Sequence, residues 1–471
     1  MERGQAAGDV GRPGRLVSAH RRARRPQIGI ETPADGVDQQ RDRGGRSTVP
    51  APERLTTPGR PTPTTPTFAI VGAGLAGAKA AEALRAEGFD GRLVLLGEEA
   101  ERPYDRPPLS KTYLRGETDR DSLYLHDACF YAAHNIELYT SARVRSIDPP
   151  GRRLQLASGE RISYQRLLLA TGAAPRRLRR PGADLDGIYH LRNRRDADRL
   201  VAAVGRAARV VVIGTGWIGC EVAASVRQLG RQVTLVGPEA VPLARVLGPE
   251  IGCFYRDLHA DHGVRFALGT DVDAFRGDGR VEAVVTSDGR TLPCDLVLVG
   301  IGAIPRTELA EAAGIAVGDG VLVDEWLETI APGVFAAGDV AAAWRPLLRT
   351  RLRVEHWATA LHQGSVAARA MLGLPTHYKR LPSFFSDQSD VSMEYSGLAS
   401  ASDRVVVRGD PATRQFVAFW MRHQHVVAGM NVNVRDVAEP IQALIRSGRD
   451  VDLARLVDPD TPIKELAEDD R

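Results

Sequence analysis

A pattern that occurs twice constrains this chain more than any other feature. Phe68-Ala-Ile-Val71 is an apolar run suited to a buried strand, followed by Gly72-Ala-Gly74-Leu-Ala-Gly77 and a predicted helix to about Ala86. A second apolar run, Leu93-Val-Leu-Leu96, completes a βαβ unit. The order recurs in Val210-Val-Val-Ile213, Gly214-Thr-Gly216-Trp-Ile-Gly219, a helix to about Leu229, and Val233-Thr-Leu-Val236. Each glycine answers a steric demand. The first permits a tight strand-to-helix turn, the second lets backbone approach a pyrophosphate, and the third lets helix and strand pack closely. The helix N-terminus then faces the anion. One such motif alone is weak evidence, but both copies have a strand before and a helix after. Two dinucleotide-binding units are therefore expected.

The acid that takes the ribose hydroxyls usually stands at the end of the second strand, about 20 residues past the glycines. Glu98 holds that place in the first unit. In the second unit the place is taken by Gly237, with Glu239 two residues on. Neither an acid nor an arginine marks the second site cleanly. NADH is preferred over NADPH only in that no basic residue immediately follows the strand.

At 471 residues the chain is too long for one core and suggests about three domains. Apolar residues at 43% and charged residues at 26% place its bulk among soluble globular proteins. No apolar run is long enough for a membrane span, and no secretory signal is evident. Residues 1–66 hold nine prolines, no aromatic residue, and twelve arginines against seven acids. Such a segment cannot bury enough apolar surface to order itself. It is expected to be a disordered extension or the product of an upstream start, with a basic targeting arm as the alternative. Lysine occurs only at positions 79, 111, 379 and 464, so the arginine bias is compositional and not a nucleic-acid footprint. Cys129, Cys220, Cys253 and Cys294 form neither a C-x-x-C nor a C-x4-C pair. This argues against a local redox dithiol or a cysteine metal knuckle, and fits a reducing cytoplasm.

Further motifs are more specific: Arg102-Pro-Tyr-Asp-Arg-Pro-Pro-Leu-Ser-Lys111, Ala170-Thr-Gly172, Gly338-Asp339 after a buried run, Arg353-Val-Glu-His-Trp357, and Ser386-Asp-Gln388. With the paired fingerprints, they make residues 68–457 resemble the pyridine-nucleotide-dependent flavoprotein reductases. Within these the chain is similar to the ferredoxin reductase group of oxygenase systems, the group of putidaredoxin reductase, and to apoptosis-inducing factor. The resemblance implies an α/β fold with two Rossmann-like dinucleotide-binding domains and a C-terminal α+β domain. It implies an FAD-binding domain in two segments (67–175 and 304–378), an NAD(P)-binding domain (176–303) and a C-terminal reductase domain (379–471).

The same resemblance implies roles. Gly72, Gly74, Ala76 and Gly77 hold the FAD pyrophosphate, and Glu98 the adenosine ribose. Arg106, Val144, Ala170, Thr171, Gly172, Arg192, Gly338 and Asp339 are further FAD contacts. Lys111 and Trp357 lie by the flavin ring. Gly214, Gly216, Gly219 and Gly302 serve the nicotinamide dinucleotide, and Glu221 stands near the nicotinamide. A cation beside a flavin would stabilise its reduced form. From the residues alone, Lys111 could equally be a surface lysine, Glu221 an early-helix acid favoured by the dipole, and Trp357 a core aromatic.

Related disulfide reductases carry a C-x4-C pair where this chain has Pro-Pro-Leu-Ser-Lys111. Electrons would then leave straight from FAD to another molecule, a ferredoxin-type iron–sulfur protein. The alternatives are a small acceptor such as a quinone or oxygen, or a slow-turnover redox sensor. Arg345, Arg349, Arg351 and Arg353 either face an acidic partner or form an ordinary solvated loop. Phe385 and Ser389 stand where relatives often carry aromatic residues, which would alter acceptor preference.

Overall fold

The computed structural model describes residues 65–468. The expectation for the N-terminal extension therefore lies outside the described residues, apart from its last two. Pro66 already belongs to the fold, since its carbonyl accepts from the Arg92 amide.

Two five-stranded parallel sheets carry the two fingerprints. The first runs Val334–Ala336, Arg166–Leu169, Thr67–Val71, Arg92–Leu96, Ile136–Tyr139. The second runs Arg265–Leu268, Gln232–Gly237, Arg209–Ile213, Leu296–Val299, Ile188–Tyr189. Their central strands are buried on both faces, which is why they read as continuous apolar runs and not as alternating ones. Each sheet is accompanied by a three-stranded antiparallel meander: Val144–Asp148 to Arg161–Ser163 in the first, Val272–Arg276 to Thr291–Pro293 in the second. The chain leaves the first sheet after Arg166–Leu169 and returns to it at Val334–Ala336, so the second unit is an insertion into the first. The outward and return crossings, Ala173–Pro175 and Ala303–Pro305, pair with each other antiparallel.

The helix Leu75–Ala86 is rich in alanine, and the later helix Trp357–Met371 packs against it. Gly364 permits this approach: a Cβ there would lie 2.3 Å from the Ala76 carbonyl oxygen. The C-terminal part is a five-stranded antiparallel sheet, ordered Ser383–Gln388, Val391–Gly397, His425–Val432, Gln415–Arg422, Arg404–Asp410. Helices Ala438–Ser447, Leu453–Val457 and Ile463–Glu468 follow it. One core face of this sheet (Met393, Tyr395, Phe416, Trp420) is continuous with the core of the second nucleotide unit (Val210, Leu235, Tyr255). The strand Leu296–Val299 begins just after Asp295, whose carboxylate accepts from the Ala208 and Arg209 amides and so ties it to the start of the neighbouring strand. The strand Arg153–Leu156 begins just after Arg152, which lies in the left-handed region at φ 50°.

Candidate functional site

The two cradles obey the same geometry. Gly72 (φ 117°) and Gly214 (φ 110°) are in backbone conformations that disfavour side chains. A Cβ on Gly72 would lie 2.0 Å from the Ala170 carbonyl oxygen, and one on Gly214 2.3 Å from that of Gly300. The third glycines match even more closely. A Cβ on Gly77 or on Gly219 would lie 1.9 Å from the carbonyl oxygen of the first glycine of its motif. Gly74 and Gly216 occupy the N-cap positions of 12-residue helices, and nothing lies within 4 Å of a Cβ built at either. Each helix thus opens with amide groups that a phosphate could reach.

Around the first cradle the structure gathers most of the residues expected there. Ala170 hydrogen-bonds through its amide to the Val71 carbonyl. Gly172 (φ 70°) lies against the Arg192 guanidinium, which is ion-paired with Asp339. Gly338 donates its amide to the Gln363 side chain at 2.8 Å. Arg106 pairs with Glu99 at 2.9 Å, and Glu99 also accepts from the Tyr104 hydroxyl at 2.6 Å. Val144 opens the first strand of the meander and is buried. Glu98 is half-exposed and held by Arg306, with Arg143 at 3.5 Å. Arg306 was not singled out in the sequence. Thr171 donates to its carbonyl at 2.8 Å, which ties it to the Ala170-Thr-Gly172 motif.

In the second cradle Gly302 (φ 97°) has open space before its Cβ position. The strand end explains the missing acid. A Cβ on Gly237 would lie 2.6 Å from the Thr215 methyl, so the threonine of the fingerprint leaves no room for a side chain. Glu239 turns back instead and accepts from the Thr215 hydroxyl at 2.7 Å, while also engaging Arg245. A carboxylate thus reaches the glycine turn from a displaced position.

The three catalytic candidates lie within one connected cluster. Lys111 follows the turn Pro107–Ser110, and Glu221 lies in the first turns of the helix Trp217–Gln228. Their side chains meet at 3.1 Å, with the residues only 7% and 5% exposed. Glu221 is neither a solvated early-helix acid nor Lys111 a surface lysine. Its carboxylate also accepts from the Ser110 hydroxyl and, at 2.8 Å, from the Ser386 hydroxyl of the C-terminal sheet. Lys111 Nζ stands 5.4 Å from the Phe385 ring centroid, and Phe385 packs edge-on to Trp357 at 6.2 Å. Trp357 donates its indole N–H to Asp105 at 2.9 Å. Next to it, His356 stacks on Phe384 at 4.3 Å, and burial pushes its pKa down to about 4. All four cysteines are free, and the place expected for a dithiol holds Ser110 and Lys111.

These residues fit a bound dinucleotide in the first cradle. Arg192 Nε, Thr359 Oγ1 and Gln363 Nε2 are buried polar atoms without a protein partner, all on elements that meet at Gly172, Asp339 and Gly338. Buried donors of this kind call for an acceptor from outside the chain.

The arginine series divides. Alternation along the strand Ala341–Arg345 turns Trp344 outward and Arg345 inward, where its guanidinium lies 4.2 Å from the Tyr378 ring centroid and donates to the Arg380 carbonyl. Arg345 is thus excluded from any docking surface. Arg353 is occupied by Asp319 and Glu355. Arg349 and Arg351 are exposed.

Residues 66–364 match the family model of pyridine nucleotide-disulphide oxidoreductases, and residues 383–467 match that of the reductase C-terminal domain. The chain is 42% identical over 401 residues to the 5,5'-dehydrodivanillate O-demethylase ferredoxin reductase subunit of a Sphingobium strain, covering 84% of this chain and 97% of the relative. It is 39% identical to the ferredoxin–NAD(+) reductase component of the anthranilate 1,2-dioxygenase system of Burkholderia cepacia, covering 84% and 98%. The solved covalent putidaredoxin reductase–putidaredoxin complex superposes with a TM-score of 0.83 at 36% identity, over 86% of this chain and 98% of that one. Paired cradles, their spacing and these matches agree: the chain belongs to the pyridine nucleotide-disulphide oxidoreductase family, in the form that ends in a reductase C-terminal domain.

Proposed function

We propose that the chain is an FAD-dependent NAD(P)H:ferredoxin reductase serving an oxygenase. The observation that carries this reading is the junction at Glu221. Lys111 of the first nucleotide unit, Glu221 of the second and Ser386 of the C-terminal sheet meet there, and no thiol pair stands between them. FAD would supply acceptance of a hydride and release of single electrons. Everything else asked of the protein is binding, orientation and electrostatics.

Gly72, Gly74, Ala76 and Gly77 present the helix N-terminus to the FAD pyrophosphate. Glu98, steadied by Arg306, takes the adenosine ribose, and the Val144 backbone borders the adenine. Arg106, Ala170, Thr171, Gly172, Arg192, Gly338 and Asp339 hold the middle of the cofactor. Lys111 and Trp357 lie beside its ring. Gly214, Gly216, Gly219 and Gly302 hold the nicotinamide dinucleotide, with Glu221 fixing Lys111 between the two. NADH is the preferred donor, because no basic residue immediately follows the strand and Glu239, held by Thr215 and Arg245, brings a carboxylate to the glycine turn. The acceptor is a ferredoxin-type iron–sulfur protein, a reading supported by relatives that are ferredoxin reductases of oxygenase systems. Four free cysteines suit a reducing cytoplasm. Anaerobic assays with NADH or NADPH against ferredoxin and quinone, and aerobic assays of oxygen uptake, test this. Turnover with quinone or oxygen exceeding that with ferredoxin would sink it.

A further inference from the structure

Behind Glu221 lies a polar chain that packing alone does not require. Ser386, Gln388 and His259 are all 1% exposed or less. His259 Nε2 faces Gln388 Oε1 at 2.9 Å, Gln388 Nε2 donates to Ser386 Oγ at 3.1 Å, and Ser386 Oγ donates to Glu221 Oε1 at 2.8 Å. His259 lies on the helix Ala244–Asp261 of the second nucleotide unit, whereas Ser386 and Gln388 lie on the strand Ser383–Gln388. The chain therefore runs from one domain into another and back.

Its directions are determined. Ser386 gives its one hydroxyl hydrogen to Glu221 and so must accept from the Gln388 amide. The Gln388 carbonyl then requires a hydrogen on His259 Nε2. Burial keeps that imidazole neutral, with a pKa pushed down to about 4, so the hydrogen on Nε2 leaves Nδ1 as the unprotonated nitrogen, an acceptor without a protein partner. Every donor in the series points toward the carboxylate. Aligned hydrogen bonds polarise one another, so the series draws negative charge off Glu221 at Oε1, the same oxygen that Lys111 holds. An apolar trio of similar volume would fill this space without the cost of burying polar groups.

We propose that Ser386, Gln388 and His259 are positioning residues that tune the Lys111–Glu221 pair, and through it the reduction potential of the flavin. The proposal rests on the reading that Lys111 lies beside that flavin. It carries a sign. Without the relay, Glu221 is less neutralised and the environment of the flavin becomes more negative, so reduction becomes harder.

The test is the midpoint potential of the FAD-loaded protein, with the limiting rate of flavin reduction by NADH and its apparent Kd. Ser386→Ala, Gln388→Met and His259→Leu are each expected to lower the potential, most for Ser386→Ala. The expected size is up to about tenfold in the reduction equilibrium constant, ~30 mV for a two-electron couple. The limiting rate should fall while the apparent Kd stays unchanged. His259→Gln keeps a donor toward Gln388 and should restore the wild-type potential. Relay variants that lower thermal stability but leave the potential unchanged, or raise it, would overturn the proposal. Ser386→Ala removes a single hydroxyl, so it keeps the test open if the larger replacements do not fold. Lys111→Met and Glu221→Gln serve as controls. If neither moves the potential, the placement of Lys111 fails; if they do and the relay variants do not, the relay alone fails.

Discussion

Glu221→Gln is the perturbation whose outcome follows most directly from the geometry. The pair it breaks is 3.1 Å long and almost fully buried. At an effective dielectric of ~20, Coulomb's law gives roughly 5 kcal/mol for that separation. Removing one partner of a buried pair costs about 3–5 kcal/mol, because the remaining charge stays uncompensated. Glutamine preserves the shape: its oxygen can still accept from Lys111 and Ser386, and its amide can donate to Ser110. What is lost is the negative charge. Reduction of a flavin beside Lys111 would supply negative charge in its place and recover part of that cost. Recovery of about 1.4–2.8 kcal/mol corresponds to a rise of ~30–60 mV in a two-electron potential. Anaerobic reductive titration against a reference dye reads this directly. An unchanged or lowered potential would refute the reasoning, because it would mean that Lys111 does not act on the flavin.

The paired cradles predict a contrast between two alanine replacements. Gly219→Ala forces a methyl 1.9 Å from the Gly214 carbonyl oxygen and should both destabilise the second nucleotide unit and abolish NADH reduction. Gly216→Ala meets nothing within 4 Å, so it should melt like the wild type while raising the apparent Kd for NADH about tenfold or more; equal behaviour of the two would contradict the assignment. Glu98→Ala removes a charge-assisted contact worth about 1.5–3 kcal/mol, so FAD retention in ultrafiltration should weaken roughly 10- to 100-fold. The pH dependence follows from His259 and His356, both pushed by burial down to about 4. The unfolded chain binds these protons first, so their contribution is whole above about pH 6.5 and is lost progressively down to about pH 4, roughly 3 kcal/mol each. Thermal melts across that range should show the loss, and His259→Gln should reduce it; a flat profile would argue against either imidazole being buried and neutral.

Local physics made much of the fold legible. A strand buried on both faces is a continuous apolar run, and a glycine that must admit a neighbouring carbonyl can be no other residue. Hence Thr67–Val71, Arg209–Ile213 and the glycines of both turns were readable from short segments. The site was readable only in parts. Lys111 and Glu221 were each identified on separate motifs, but their contact joins positions 110 residues apart and has no local signature. His259 and Gln388 are separated by 129 residues, and the relay they form is invisible in spacing. Arg306 comes from the far side of the inserted unit, 208 residues from Glu98. Arg345 fits neither reading of its series, a docking face or a solvated loop, because it is buried. Alternation along its strand was the available signal, since it sends Trp344 and Arg345 to opposite faces. The absent acid at Gly237 likewise had a local cause in Thr215, whose methyl takes the space that a side chain would need.

The central claim is that electrons enter from a nicotinamide and leave directly to an iron–sulfur protein, without a thiol relay. Anaerobic stopped-flow mixing of the FAD-loaded protein with one equivalent of NADH, followed by oxidised ferredoxin, tests it most directly. The account predicts bleaching of the flavin band by NADH and then reduction of two ferredoxins per NADH, at rates untouched by thiol alkylation. A flavin that NADH does not bleach, or that passes its electrons to quinone or oxygen while ferredoxin stays oxidised, would contradict it.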